Sequence, residues 1–207
     1  ATTEIYTLSL HDALPIYYLV DVKHLKVLVL RHQGKVIKIG VDFVKVPRGW
    51  TLSRDYRYDY SVIRLKRAHN NEFLGMYEIP AALDIRIKIQ FASFPFDKEQ
   101  NTLWYSNCAA HCRNHAIINR CDSNAGSSGA GIYALMRKGK VEERFVFGVF
   151  TGLGSRVRFR GKMRLMNIGT KITPLKLAQI RAWMGLPPRR HKGSIDQKAK
   201  MPVSPNH

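Results

Sequence analysis

Acidic residues are scarce in this 207-residue chain. There are 15 aspartates and glutamates against 34 lysines and arginines, and the formal net charge is +19. Cysteine is scarcer: Cys108, Cys112 and Cys121 are an odd number, so at least one is unpaired within the chain. No apolar run is long enough to span a bilayer, which excludes a membrane-crossing helix. Residues 1–16 lack the basic start and uninterrupted apolar stretch of a secretory signal. They read instead as the translation of a sequencing-library adapter, with the rest as a C-terminal fragment of a longer protein. On that reading, the missing leader says nothing of the compartment. No internal repeat is visible, which removes solenoid arrays.

What is present supports a β-rich body. Apolar residues make up 45% of the chain, enough for a real core, and the length allows one large or two small domains. Leu25–Arg31 and Lys35–Val41 read as strands joined by a turn at Gln33-Gly34. Ile85-Arg86-Ile87-Lys88-Ile89 alternates with a period of two, as a half-buried strand does. Phe145–Thr151 is almost wholly apolar and suits a strand buried on both faces. One helix is predicted, near the C-terminus. Thr173 caps it and Pro174 fits its first position. Leu177, Ile180, Trp183 and Met184 share its face, and Gly185 with Pro187-Pro188 stops it. Residues 186–207 have little to bury and read as a basic disordered tail.

The most informative stretch is Cys121-Asp122-Ser123-Asn124-Ala125-Gly126-Ser127-Ser128-Gly129-Ala130-Gly131. A serine nucleophile needs such a run of small residues. The backbone must turn tightly to project the hydroxyl, and the amides beside it must stay bare to hold an oxyanion. Alone, the stretch fits a flexible glycine-serine turn between two strands better than a nucleophile loop.

Its context is more specific. Gly49-Trp50 leads into Tyr58-Asp59-Tyr60-Ser61-Val62-Ile63-Arg64-Leu65; then come Cys121–Tyr133, Phe147-Gly148-Val149-Phe150-Thr151-Gly152 and Ile172-Thr173-Pro174-Leu175-Lys176-Leu177-Ala178-Gln179-Ile180. In that order, from about Leu25 to Gly185, these blocks resemble the trypsin-like serine proteases. The nearest likeness is to a secreted group that holds both a protease and a pseudoenzyme. The resemblance implies an all-β, chymotrypsin-like double β-barrel with a C-terminal α-helix, the first barrel truncated at its N-terminal side. Residues 17–75 would form the remainder of that barrel, and residues 76–185 the second barrel with the helix. Ser128 would be the nucleophile and Asp59 the carboxylate that orients the catalytic histidine. The Gly126 and Ser128 amides would form the oxyanion hole. Asp122, Thr151 and Gly152 would contact substrate, with Asp122 in a place that can select basic side chains, although the specificity stays open. Cys108 and Cys121 would pair as a disulfide, leaving Cys112 over, which implies an oxidising, extracellular setting. No cofactor is implied; the implied partner is a protein or peptide substrate, with no membrane.

The histidine is missing. In the family it precedes the aspartate in an Ala-Ala-His-Cys block. Before Asp59 stand His11, His24 and His32, none with those neighbours. Ala109-Ala110-His111-Cys112 matches the block but follows Asp59, where the family has a surface segment of the second barrel. The expectation is a base lost upstream. Cys108, His111, Cys112, His115 and Cys121 also crowd one stretch, but their spacing is irregular for zinc, and no metal is assigned.

The charge sits on the body. Residues 1–16 carry two acids and no lysine or arginine, and the tail from Leu186 carries a net +4, which leaves +17. Arg156, Arg158, Arg160, Lys162 and Arg164 alternate and would share one face of an extended strand. Two readings stand side by side: a surface that draws in acidic substrates or sulfated glycans, and a solvated loop. A nucleic-acid binder has no recognised motif here. The functional choice lies between a secreted serine endopeptidase that retains its nucleophile and a binding module without turnover.

Overall fold

The computed structural model describes residues 5–8, 22–30, 36–68, 74–99, 102–138, 141–159 and 161–188. The Gln33-Gly34 turn, Arg160, and the tail from residue 189 lie outside the described residues. The first sheet is open and antiparallel, built from β1 (Ile5–Leu8), β2 (Lys26–Leu30), β3 (Val36–Lys45) and β4 (Ser61–Leu65) in the order β1-β4-β3-β2. β1 falls within the segment read as an adapter, and it pairs Ile5 with Arg64 and Leu8 with Ser61. β3 runs past the expected Val41 because a second partner extends it: Phe43 to Lys45 pair with Arg64 to Val62 of β4.

The second sheet contains β5 (Gly75–Met76), β6 (Ile85–Ser93), β7 (Trp104–Arg113), β8 (Ala116–Asn119), β9 (Gly131–Lys138), β10 (Val141–Phe159) and β11 (Lys162–Lys171). Its order is β11-β8-β7-β6-β9-β10-β5, and β10 also pairs with β11. That last pairing closes β6 to β11 into a six-stranded barrel, with β5 as a parallel appendage on β10. The alternation seen in the sequence sets the inner face: Ile87, Ile89 and Phe91 are buried while Arg86 and Lys88 are exposed. Ile117, Ile132, Phe147 and Phe150 complete this core. The closure depends on two glycines. A Cβ on Gly148 would lie 2.2 Å from Ile117 Cδ1, and one on Gly169 would lie 2.4 Å from Ile132 Cδ1.

A helix not expected from the sequence, α1 (Arg48–Ser53), precedes the Asp59 segment. It is too short to carry a periodic signal. Pro47 starts it, and Arg54 ends it in the left-handed region at φ 54. Its Gly49 leaves room for the Tyr58 ring, which a Cβ would meet at 2.4 Å.

Cys108 on β7 and Cys121 form the expected disulfide. This takes two of the five crowded cysteine and histidine groups out of any metal site. Cys112 is unpaired and buried, and burial pushes its thiol up to about 12.

The basic cluster needs correction. The chain turns back at Gly161, so residues 156–159 and 162–165 form a two-stranded ribbon. Arg156 and Arg158 stand opposite Leu165 and Met163, whereas Lys162 and Arg164 stand opposite Phe159 and Val157. Directly opposed residues share a face. The two basic pairs therefore lie on opposite faces of the ribbon, not on one.

The C-terminal helix, α2 (Pro174–Trp183), follows its sequence signals: Thr173 is the N-cap residue, though without a side-chain cap bond, and Gly185 has φ +69. It joins the two halves. Tyr60 and Val62 pack with Val149 of β10 and Ile180 of α2. The Tyr60 hydroxyl donates to Gln179 Oε1 at 2.5 Å, and its ring lies 6.1 Å from that of Trp183. Lys176, buried here, donates from Nζ to the Lys171 carbonyl at 2.8 Å and lies over the Tyr60 ring. Burial, helped by the neighbouring Lys171 cation, lowers its pKa to about 7 from an ordinary 10.5. Below about pH 7 the amine is charged in both folded and unfolded chains, so the burial penalty is present in full. Above that, and up to 10.5, the unfolded chain binds a proton that the folded chain does not, so stability rises with pH. Lys176→Met is expected to flatten that rise, read as the difference between urea midpoints at about pH 6 and about pH 9. An unchanged pH dependence would contradict this account of Lys176.

Candidate active site

Small residues make the turn around Ser128 possible. Gly126 and Gly129 flank the Ser127-Ser128 pair at φ +92 and +90, a region that a side chain disfavours. The segment is held at both ends. On one side the Gly129 amide donates to Phe150 O at 2.8 Å, and the Phe150 amide donates back to Ala130 O at 2.9 Å. On the other, the Phe96 amide donates to Ala125 O at 2.7 Å. Ser128 is half-buried, whereas Ser127 is fully buried and its hydroxyl accepts from Ser93 Oγ at 3.1 Å. Among the described residues the Gly126 amide has no hydrogen-bond partner.

Upstream, Cys121 is fixed by Asn119 Oδ1, which accepts from its amide at 3.1 Å, and by Asn167 Nδ2, which donates to its carbonyl at 2.9 Å. Asn167 also donates to Ser123 Oγ at 2.9 Å. Asp122 lies between these anchors and is exposed, lining a shallow cleft with Ser123, Asn124, Asp97, Trp104 and Tyr105. Thr151 and Gly152 are buried on β10 beyond Phe150, and Thr151 Oγ1 donates to Ile168 O at 3.1 Å.

Asp59 follows the 3-10 turn Tyr56–Tyr58 and is 1% exposed. Its neighbour Asp55 has a different task. Asp55 starts that turn, accepts from the Arg57 amide at 2.9 Å and pairs with the Arg57 guanidinium, which holds its carboxyl below the usual range. The two aspartates are thereby distinguished, Asp55 shaping the turn and Asp59 pointing into the protein's interior. The turn itself is tied to the second barrel, because Thr170 Oγ1 donates to Tyr56 O at 2.8 Å.

Three histidines fall among the described residues. His24 is exposed in the 3-10 turn Val22–His24. His111, on β7, pairs with Asp84, which also faces Arg113. His115 follows β7, among Asp55, Arg57, Lys171 and Lys176; burial and then Lys176 lower its pKa. His11 and His32 lie outside the described residues. Ser93, Ser127, Asn119 and Asn167 were not singled out in the sequence. Ser127 and Asn119 already adjoin the loop in the chain; Ser93 and Asn167 carry no periodic or motif signal, and only the pairing of distant strands brings them there.

A closed barrel beside a second sheet, a serine turn hung on β10, a buried aspartate at the joint and a C-terminal helix define a chymotrypsin-fold serine protease architecture. A mutant of human heparin binding protein (CAP37) superimposes with a TM-score of 0.56 at 12% identity, covering 89% of this chain and 81% of that one. A Glu endopeptidase superimposes with a TM-score of 0.55 at 15% identity, covering 72% and 64%. In sequence, the chain is homologous to serine protease 23 and to inactive serine protease 35. It is 31% identical to human serine protease 23 over 160 residues, and 29% identical to mouse inactive serine protease 35 over 146. Those matches take in 73% and 67% of this chain; it spans only 41% and 36% of the lengths of these two relatives. No protein-family model matches the chain.

Gly126 is doubly constrained. Besides its φ, a Cβ there would lie 2.4 Å from the Phe94 carbonyl oxygen and 2.8 Å from the Phe96 ring. Gly161, at φ +75, has nothing within 4 Å of the same position. Gly126→Ala should therefore lose stability by about 1–3 kcal/mol, and more than Gly161→Ala, by urea unfolding. Equal losses would mean that φ alone matters and the Phe94 contact does not.

Proposed function

We propose that the chain is part of a secreted serine endopeptidase, with Ser128 as nucleophile and Asp59 as the carboxylate that supports the base. Ser128 Oγ attacks the scissile carbonyl carbon while a histidine takes its proton. Negative charge collects on the carbonyl oxygen, where the Gly126 and Ser128 amides receive it. Collapse of this intermediate breaks the C–N bond, and the leaving amine takes the proton back. Asp59 keeps the imidazole oriented and stabilises its charged form. Thr151 and Gly152 line the acyl side of the cleft; Asp122, being exposed, contacts substrate at the rim. The observation that carries this reading is the turn itself, two left-handed glycines around a half-buried serine, hung on β10. In this reading the base is a histidine other than His24, His111 and His115. The extracellular assignment draws on the Cys108–Cys121 disulfide.

A fluorophosphonate probe tests the base. The 207-residue chain is expected to label at Ser128 no faster than its Ser128→Ala variant labels elsewhere, since losing the base removes orders of magnitude in rate. Labelling of Ser128 at protease-like rates would refute the missing base. In the whole protein, Ser128→Ala should abolish hydrolysis and Asp59→Asn should lower kcat by about 10⁴.

A second reading concerns charge. A neighbour in fold is named a heparin binding protein, and this chain carries +19. We infer that the basic ribbon, with Arg156, Arg158, Lys162 and Arg164, and with Arg160 between them in the sequence, engages sulfated glycans. The alternative of a non-catalytic pseudoprotease would keep this binding alone. On a heparin column the chain should elute at high salt, and neutralising Lys162 and Arg164 together should lower that salt measurably. Low-salt elution, unmoved by these changes, would dismiss the glycan.

A further inference from the structure

We propose that Ser93 and Ser127 are positioning residues: a neutral hydroxyl latch between them sets the Gly126–Ser128 turn, with no ion pair required beneath it. The consequence for catalysis rests on Ser128 as nucleophile; the latch itself does not. Ser127 immediately precedes Ser128 and is 0% exposed, and Ser93 is 6% exposed. Ser93 Oγ and Ser127 Oγ are 3.1 Å apart, and the Asn124 amide reaches the same Ser127 oxygen at 3.4 Å. Ser93 ends β6, where it stands opposite Trp104 of β7. It is therefore a fixed post on the barrel wall. The turn closes around Ser127 with two backbone bonds, from the Ser127 amide to Asn124 O at 3.0 Å and from the Ala130 amide to Ser127 O at 3.2 Å. With its own side chain drawn inward to β6, Ser127 fixes where the next residue leaves the turn. Both latch groups are uncharged serines, so the bond between them does not itself titrate.

A buried hydroxyl stripped of its partner is worse placed than a site where both hydroxyls are gone. That asymmetry gives the latch a signature. Hydrogen–deuterium exchange of the 207-residue chain reads it, on peptides covering residues 123–131. Ser93→Ala and Ser127→Ala should each speed exchange there about tenfold, with β8 and β11 unaffected. The double variant should exchange more slowly than the product of the two single effects. Ser127→Thr, which keeps a hydroxyl, should recover part of the protection. In the parent chain, protection corrected for intrinsic exchange should stay level from about pH 5.5 to about pH 8 and in high salt. Single-variant rates within about twofold of the parent would overturn the latch, as would multiplicative effects or protection that collapses with salt. If Ser93→Ala does not fold, Ser127→Ala against Ser127→Thr makes the same comparison. Failure of the nucleophile reading would appear elsewhere, as hydrolysis by the whole protein that survives Ser128→Ala.

Discussion

The closure of β10 against β11 is the constraint on which the rest depends. Gly148 and Gly169 allow those strands to pass close to Ile117 and Ile132 without a clash, and that approach seals the barrel. Once sealed, β10 has fixed backbone groups at Phe150. The serine turn borrows them, giving Gly129 N–H to Phe150 O and taking Phe150 N–H on Ala130 O. A turn this rich in glycine would otherwise have many conformations open to it. The paired bonds to Phe150 hold it in one of them.

The same strand reaches the other half of the site. Val149 of β10 is packed against Tyr60 and Val62, and so against the residue that follows Asp59. Helix α2 reinforces the contact through Gln179, Lys176 and Ile180. Asp59 and Ser128 both lie outside the strands and are 69 positions apart in the chain, yet each lies one residue from a group packed or bonded on β10. Both segments are thus anchored on one strand.

The sequence told its readers about some of this and was silent about the rest, for physical reasons. β6 was legible because one face of it is wet and the other dry, which imposes alternation on Ile85 to Phe91. α2 was legible through its N-cap threonine, its first-turn proline and its terminal glycine. The serine turn and the disulfide were legible through family resemblance, since Cys108 and Cys121 alone do not specify a pairing. The basic stripe misled because alternation assigns a common face only while a strand continues straight. The reversal at Gly161 sends residues 162–165 back along their neighbours, and register then decides the faces. Ser93 and Asn167 were illegible, because their roles come from partners 34 and 44 positions away.

The two halves of the site are held by different physics. At the joint behind Asp59, buried cations do much of the work. Lys171 gives its amine to the carbonyls of Pro80, Ala81 and Leu83, and Lys176 gives its own to the Lys171 carbonyl. Burial and then Lys171 lower the pKa of Lys176, and burial and then Lys176, Arg57 and Lys171 lower that of His115. The serine turn is instead held by amides, carbonyls and two hydroxyls. Charging Lys176 therefore acts on the joint packed around Tyr60, next to Asp59 in the chain, and not on a group that bonds within the serine turn.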